Sequence, residues 1–249
     1  MDKPRRAWLG VTKKIVMAIT GLGLCLFLVG HLVGNLLLLF PKNQYGWFNF
    51  YAKTLNQIPV LPLIELGLAA MFLLHAYEGI MVYRQNKAAR GHEYAGGRRW
   101  TKEKSKKSRK TTSSTTMMVT GIVIILFASF HVWQMKYYNS VGQASPASEK
   151  HFRVANGTAS AADHETYDLA NHVIWELKKP PVAILYMACM IALGFHLYHA
   201  VWSAFQTLGA TNSNFRKFML FAGKAFSVVI AGSFFMLPIY IWLFVEAPK

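Results

Sequence analysis

Acidic residues are scarce in this chain: 11 Asp and Glu stand against 27 Lys and Arg, a net charge of +16 over 249 residues. Cysteine is scarcer still, limited to Cys25 and Cys189. Neither sits in a CxxC sequence, which excludes a zinc ribbon and a redox dithiol. Both lie inside apolar runs and read as small buried hydrophobes. A basic excess of this size can serve nucleic acid, but here the basic residues lie before and between the apolar runs. That placement fits the rule that cationic loops stay on the cytoplasmic side of a membrane, and no nucleic-acid partner is expected.

Apolar residues are abundant, 53% of the chain, and they come in blocks rather than in helical stripes. Five runs are long enough to cross a bilayer, at approximately 15–40, 58–83, 117–137, 181–208 and 218–244. The expected fold is therefore all-α and integral to the membrane, a five-transmembrane-helix bundle forming a single domain over 1–249. A short basic start (Lys3, Arg5, Arg6, Lys13, Lys14) precedes a first run too long for the apolar core of a signal peptide. It reads as a retained span with a cytoplasmic N-terminus. The segment 84–116 is dense in Lys and Arg against only Glu93 and Glu103, so it too belongs on the cytoplasmic side. There it has the charge to dock an acidic soluble partner or anionic membrane lipid.

The first four runs share an oddity. Each holds a deep histidine: His31, His75, His131 and His196, with His199 one turn beyond the last. An imidazole in hydrocarbon is a functional-site hypothesis by default. Its plainer explanation is a hydrogen bond to a neighbouring helix. Depth distinguishes the two. At 1.5 Å per residue, His31 lies about 25 Å from the cytoplasmic end of its span and His131 about 24 Å. His75 and His196 lie only about 14 and 15 Å from theirs. The histidines thus fall into two level pairs, His31 with His131 and His75 with His196, as two bis-histidine haems require. No CxxCH attachment sequence exists, so two haems b held without covalent bonds are expected. Depth alone leaves His199 open as the ligand in place of His196.

Other polar positions are weaker candidates. Glu78 follows His75 by three residues and shares its face, so Glu78 and His199 are candidates for contact with a haem propionate or a ligand. Glu65, near the outer end of the second run, and the aromatics from Tyr45 through Trp47 to Tyr51 suit either an interfacial belt or the mouth of a quinone pocket. His151, His164 and His172 lie outside any run and read as solvated.

The order of five spans, one histidine in each of the first four, and Phe195-His196 followed by Trp202-Ser203 together carry a resemblance. The chain resembles the single-polypeptide dihaem cytochrome b subunit of succinate:quinone oxidoreductases, which work as succinate dehydrogenase or fumarate reductase. The likeness covers nearly the whole chain. It implies His31 and His131 on the outer haem, His75 and His196 on the inner one, and so selects His196 over His199. It also implies a bacterial cytoplasmic membrane, a flavoprotein subunit with FAD and an iron–sulfur subunit as partners, and a quinone, foremost menaquinone, as substrate. The succinate and fumarate chemistry would lie on the partners, and this chain would serve the respiratory chain and tricarboxylic acid cycle as anchor and electron conduit. One departure stands out: some members carry glutamate two residues before the fourth-span histidine, where this chain has Gly194. Two alternatives remain, a dihaem subunit of a nitrate reductase, hydrogenase or formate dehydrogenase, and a non-redox transporter or scaffold.

Overall fold

A computed structural model of the chain describes residues 3–40, 46–89, 112–137, 169–209 and 212–246. Seven α-helices account for nearly all of them: α1 (Lys3–Leu36, continued by a 3₁₀ turn Leu37–Leu39), α2 (Gly46–Asn56), α3 (Leu61–Ala89), α4 (Thr112–Val132), α5 (Leu169–Lys178), α6 (Pro180–Thr207) and α7 (Ser213–Phe244). A π-helical turn, Trp133–Tyr137, extends α4. Five helices are long and apolar enough to cross a membrane, over Gly10–Leu39, Leu61–Ala88, Thr116–Tyr137, Pro180–Thr207 and Phe215–Phe244.

The bounds differ modestly from those expected. The second span starts at Leu61 because Pro59 lies in the turn before it, while Pro62 occupies the first helical turn, where its missing N–H costs nothing. Pro180 opens α6 in the same way. Pro238 sits inside α7, which continues as helix through it. The basic segment expected at 84–116 lies mostly outside the described residues, as do His151 and His164.

The spans alternate in direction. Lys13 and Lys14 of α1, Arg84 and Lys87 of α3, and Arg216 and Lys217 of α7 therefore mark one end of the bundle, called here the basic end. In the bundle α1 packs along α3 and α6, α4 packs along α6 and more loosely along α3, and α7 lies against α6. The diagonal pairs, α1 with α4 and α3 with α6, are not closely packed backbone to backbone. Large apolar side chains face outward on every span, among them Leu26, Leu66, Leu126, Ile191 and Phe221, as lipid-facing helices require.

Two apolar clusters hold the bundle. Leu32, Cys189, Met190, Leu193, Leu197 and Ile230 join α1, α6 and α7 at mid-depth. Leu38, Phe48, Val173, Ile174, Leu177, Tyr186, Leu237 and Ile241 close the far end, where the short helices α2 and α5 lie across the ends of α1, α6 and α7. The Asn49 side chain of α2 accepts the Ala170 N–H at 2.9 Å, satisfying one of the donors that the start of α5 leaves open.

Helix α7 approaches α6 closely through small residues, as membrane interfaces favour. The Ser227 hydroxyl donates to the Gly194 carbonyl at 2.7 Å, and a Cβ on Gly194 would stand 3.3 Å from that of Ala231. A larger side chain at 194 must therefore push the helices apart. Gly194→Leu is expected to cost about 1–3 kcal/mol and to lower the thermal midpoint in detergent. Gly232→Leu, where nothing lies within 4 Å, should leave that midpoint within a degree or two of the parent.

Candidate functional site

The loosely joined diagonals of the bundle are bridged by histidine. His31 on α1 and His131 on α4 bring their ring centroids within 5.7 Å, with the planes at 81°. His75 on α3 and His196 on α6 stand 6.4 Å apart at 70°. These are the two level pairs. His199 lies a turn nearer the basic end and makes no ring contact with His75 among the described residues, so it is His196 that faces His75.

Hydrogen bonding fixes the tautomers. His75 Nδ1 lies 3.1 Å from the Met17 carbonyl, which can only accept, so Nδ1 carries the proton. Thr20 Oγ1 is also within 3.3 Å of that nitrogen. The Thr20 hydroxyl proton is committed to the Val16 carbonyl at 2.8 Å, so its oxygen acts as an acceptor towards the ring. His196 repeats the arrangement. Thr120 Oγ1 stands 3.2 Å from its Nδ1 while donating to the Thr116 carbonyl at 3.1 Å, so its oxygen acts as the acceptor. In both rings the unprotonated nitrogen is Nε2.

The repetition extends well beyond these contacts. Met17, Thr20, Gly21, Leu26, Phe27 and His31 recur at a constant offset as Met117, Thr120, Gly121, Leu126, Phe127 and His131. Each residue type serves the same purpose twice. Gly21 and Gly121 clear room for the neighbouring imidazole: a Cβ would stand 3.0 Å from His75 Cε1 in one case and 3.6 Å from His196 Cε1 in the other. Phe27 stacks on His31 at 5.4 Å and Phe127 on His131 at 5.6 Å. Helices α1 and α4 run the same way, so α1–α3 and α4–α6 form a parallel repeat about an axis along the bundle. Such a repeat places equivalent helices on diagonals.

The second pair is held less evenly. His131 Nδ1 lies 3.0 Å from the Tyr186 hydroxyl, which donates its own proton to Gln134 Oε1 at 2.8 Å. The ring nitrogen is therefore the donor to the tyrosine oxygen. No Nδ1 partner of this kind for His31 lies among the described residues, and its Nε2 is 3.5 Å from the Asn35 amide, at the limit of a hydrogen bond.

These residues fit an iron porphyrin. Haem iron takes one axial ligand from each side, whereas a zinc site takes three or four protein ligands. An iron taken up by either couple would be held between His31 and His131 or between His75 and His196, whose ring centres stand 5.7 and 6.4 Å apart. Ligating histidines characteristically donate the other ring N–H to a carbonyl or similar acceptor, as three of the four do here.

Other candidates fare differently. His172 is not solvated: it is 3% exposed, and its Nε2 meets the Gln134 carbonyl at 3.2 Å. The helix α5 that carries it is folded onto the bundle, which overrides the polar character of its surroundings in sequence. Glu65 pairs with Lys136 at 2.5 Å, both side chains about half exposed. Trp47 is 61% exposed with its described ring contact to Phe50; nothing described joins it to Glu65. Tyr45 lies outside the described residues. Glu78 keeps one carboxylate oxygen, Oε2, buried without a hydrogen-bond partner among the described residues. Sequence reasoning overlooked Thr20, Thr120, Gln134 and Glu176; the offset repeat was the signal that would have found the two threonines. No family model, curated protein or solved structure matches this chain.

Burial pushes the His172 imidazole below its ordinary 6.5, against the opposing pull of the Gln134 carbonyl and Glu176. Folding thus favours the neutral ring. Its contribution is complete above pH 6.5 and is lost as pH falls from there towards the folded value, because the unfolded chain takes up the proton first. The thermal midpoint in detergent should fall on acidification from about pH 7.5 to about pH 5.5, and His172→Gln should flatten that slope.

Proposed function

We propose that this chain is a dihaem cytochrome b, the membrane anchor that carries electrons between an iron–sulfur partner and a membrane quinone. The observation that carries this reading is the pair of diagonal histidine couples, three of whose rings present Nε2 with Nδ1–H tied down. His75 and His196 would hold one haem near the basic end; His31 and His131 would hold the other near the far end. Bound there, the two haems would supply one-electron carriers at two depths in the bilayer.

The protein's own part is orientation and environment. The Met17 carbonyl and Thr20 fix the tautomer and limit rotation of His75, and Thr120 does so for His196. Phe27 and Phe127 limit rotation in the other couple by stacking, and the Tyr186 hydroxyl fixes the tautomer of His131. The surrounding apolar clusters exclude water and lower the local dielectric, which weights every charge near the iron more heavily. Glu65 and Trp47 near the far end remain candidates for quinone contact. Succinate dehydrogenase or fumarate reductase as the parent complex, with flavoprotein and iron–sulfur subunits on a cytoplasmic basic end of a bacterial inner membrane, rests on the sequence resemblance. Co-purification of those two subunits tests that part separately.

Reduced-minus-oxidised spectra and a pyridine haemochrome assay should find two haems b per chain. His31→Ala and His131→Ala should each remove one spectral component, and His75→Ala and His196→Ala the other. His199→Ala should leave both in place. Absence of haem refutes the reading, and loss of the same component in His31→Ala and His75→Ala refutes the pairing.

Thr20→Val keeps the side-chain shape and removes the acceptor. It should alter the low-temperature electron paramagnetic resonance of the haem on His75 and His196, with little change in the other. Thr120→Val should affect that same haem, since both threonines serve one couple.

A further inference from the structure

The polar contacts of His131 do not stop at Tyr186. The Tyr186 hydroxyl donates to Gln134 Oε1 at 2.8 Å, the Gln134 amide donates to Glu176 Oε2 at 2.7 Å, and Lys179 donates to Glu176 Oε1 at 2.6 Å. Every bond from the imidazole onward therefore points its proton towards one carboxylate. Gln134, Glu176 and Tyr186 are 3%, 4% and 7% exposed, so the chain runs through a low-dielectric interior, where linked hydrogen bonds polarise one another. Among the described residues the other couple has nothing comparable. His75 donates to a neutral backbone carbonyl and a threonine oxygen, His196 to a threonine oxygen, and no such acceptor for His31 lies among the described residues.

We propose that Glu176, acting through Gln134 and Tyr186, draws the Nδ1 proton of His131 outward and so makes this ring a stronger electron donor, setting the reduction potential of the far-end haem alone. The arrangement is the carboxylate–histidine–metal triad with a phenol and an amide inserted. A more donating imidazole favours the ferric state and lowers the potential. Glu176, Gln134 and Tyr186 are positioning residues, since none of them would touch the iron. The inference rests on the haem reading above.

Potentiometric titration of the full chain tests it, with dithionite through dye mediators supplying one electron per iron as ferric becomes ferrous. Glu176→Gln should raise the midpoint of the far-end haem by about tenfold in the ferrous-to-ferric ratio, about 59 mV for a one-electron couple, and leave the other component where it was. Tyr186→Phe, nearly isosteric, should shift the same haem the same way. Because both act through one chain, the double variant should shift it no further than the larger single change. Gln134→Leu, which keeps the Glu176 charge but cuts the connection, should reproduce the shift; if it does not, the carboxylate acts through space and the relay is wrong. Equal movement of both haems, or an unmoved far-end haem in Tyr186→Phe, overturns the proposal. Absence of haem from the unmodified chain instead overturns the reading beneath it.

Discussion

An imidazole inside hydrocarbon must find a hydrogen-bond acceptor, because an unsatisfied N–H there costs several kcal/mol. Much else in this bundle follows from that constraint. In α1 and α4 most carbonyls are engaged in the helix's own ladder, yet Met17 takes an extra donor from His75 and the Thr120 oxygen takes one from His196, each on another helix. The adjacent threonines make this possible. Each turns its hydroxyl proton back onto its own helix, leaving an oxygen directed at the ring. Glycine one residue on lets the ring approach. The Thr-Gly dipeptide is thus a compact cradle for an imidazole, used once in each half.

A repeat of this kind explains why a loosely packed centre can be reproducible. The equivalent helices α1 and α4 oppose one another, as do α3 and α6, and each diagonal is spanned by side chains rather than by backbone contact. The close packing lies elsewhere, at the α6–α7 seam and under the α2–α5 cap. Helix α7 carries no histidine in its span, and its part is to brace α6 through Ser227 and Ala231 against Gly194. That seam gives a physical reason for glycine at position 194: a carboxylate there would displace a helix contact.

The five spans were legible because length and unbroken apolarity are local properties that tertiary context seldom overrides. The coupling of His31 to His131 and of His75 to His196 was legible for a simpler reason, since helical rise converts sequence distance into depth. The far-end cap was not. Helix α5 follows a long mixed-charge segment, and His172 reads as solvated until α2 and the ends of α6 and α7 are folded over it. Gln134 was equally opaque, as a polar residue at the end of a span has an obvious solvated explanation. The threonines become legible only when the two halves are aligned as a parallel repeat.

The symmetry also shows where the two halves part company. By the register of His75 and His196, Glu65 on α3 corresponds to Tyr186 on α6. Both reach the same π-helical turn of α4, Tyr186 through Gln134 and Glu65 through Lys136. A π turn widens the helix and re-aims successive side chains, which is why such turns gather at functional sites. Here it lets one turn serve both neighbours in opposite ways. On the α6 side it continues into a buried chain ending at Glu176 beneath the cap. On the α3 side it meets an ion pair that is half exposed. Among the described residues, the far end thus carries a buried polar chain on the Tyr186 side and a half-exposed ion pair on the Glu65 side.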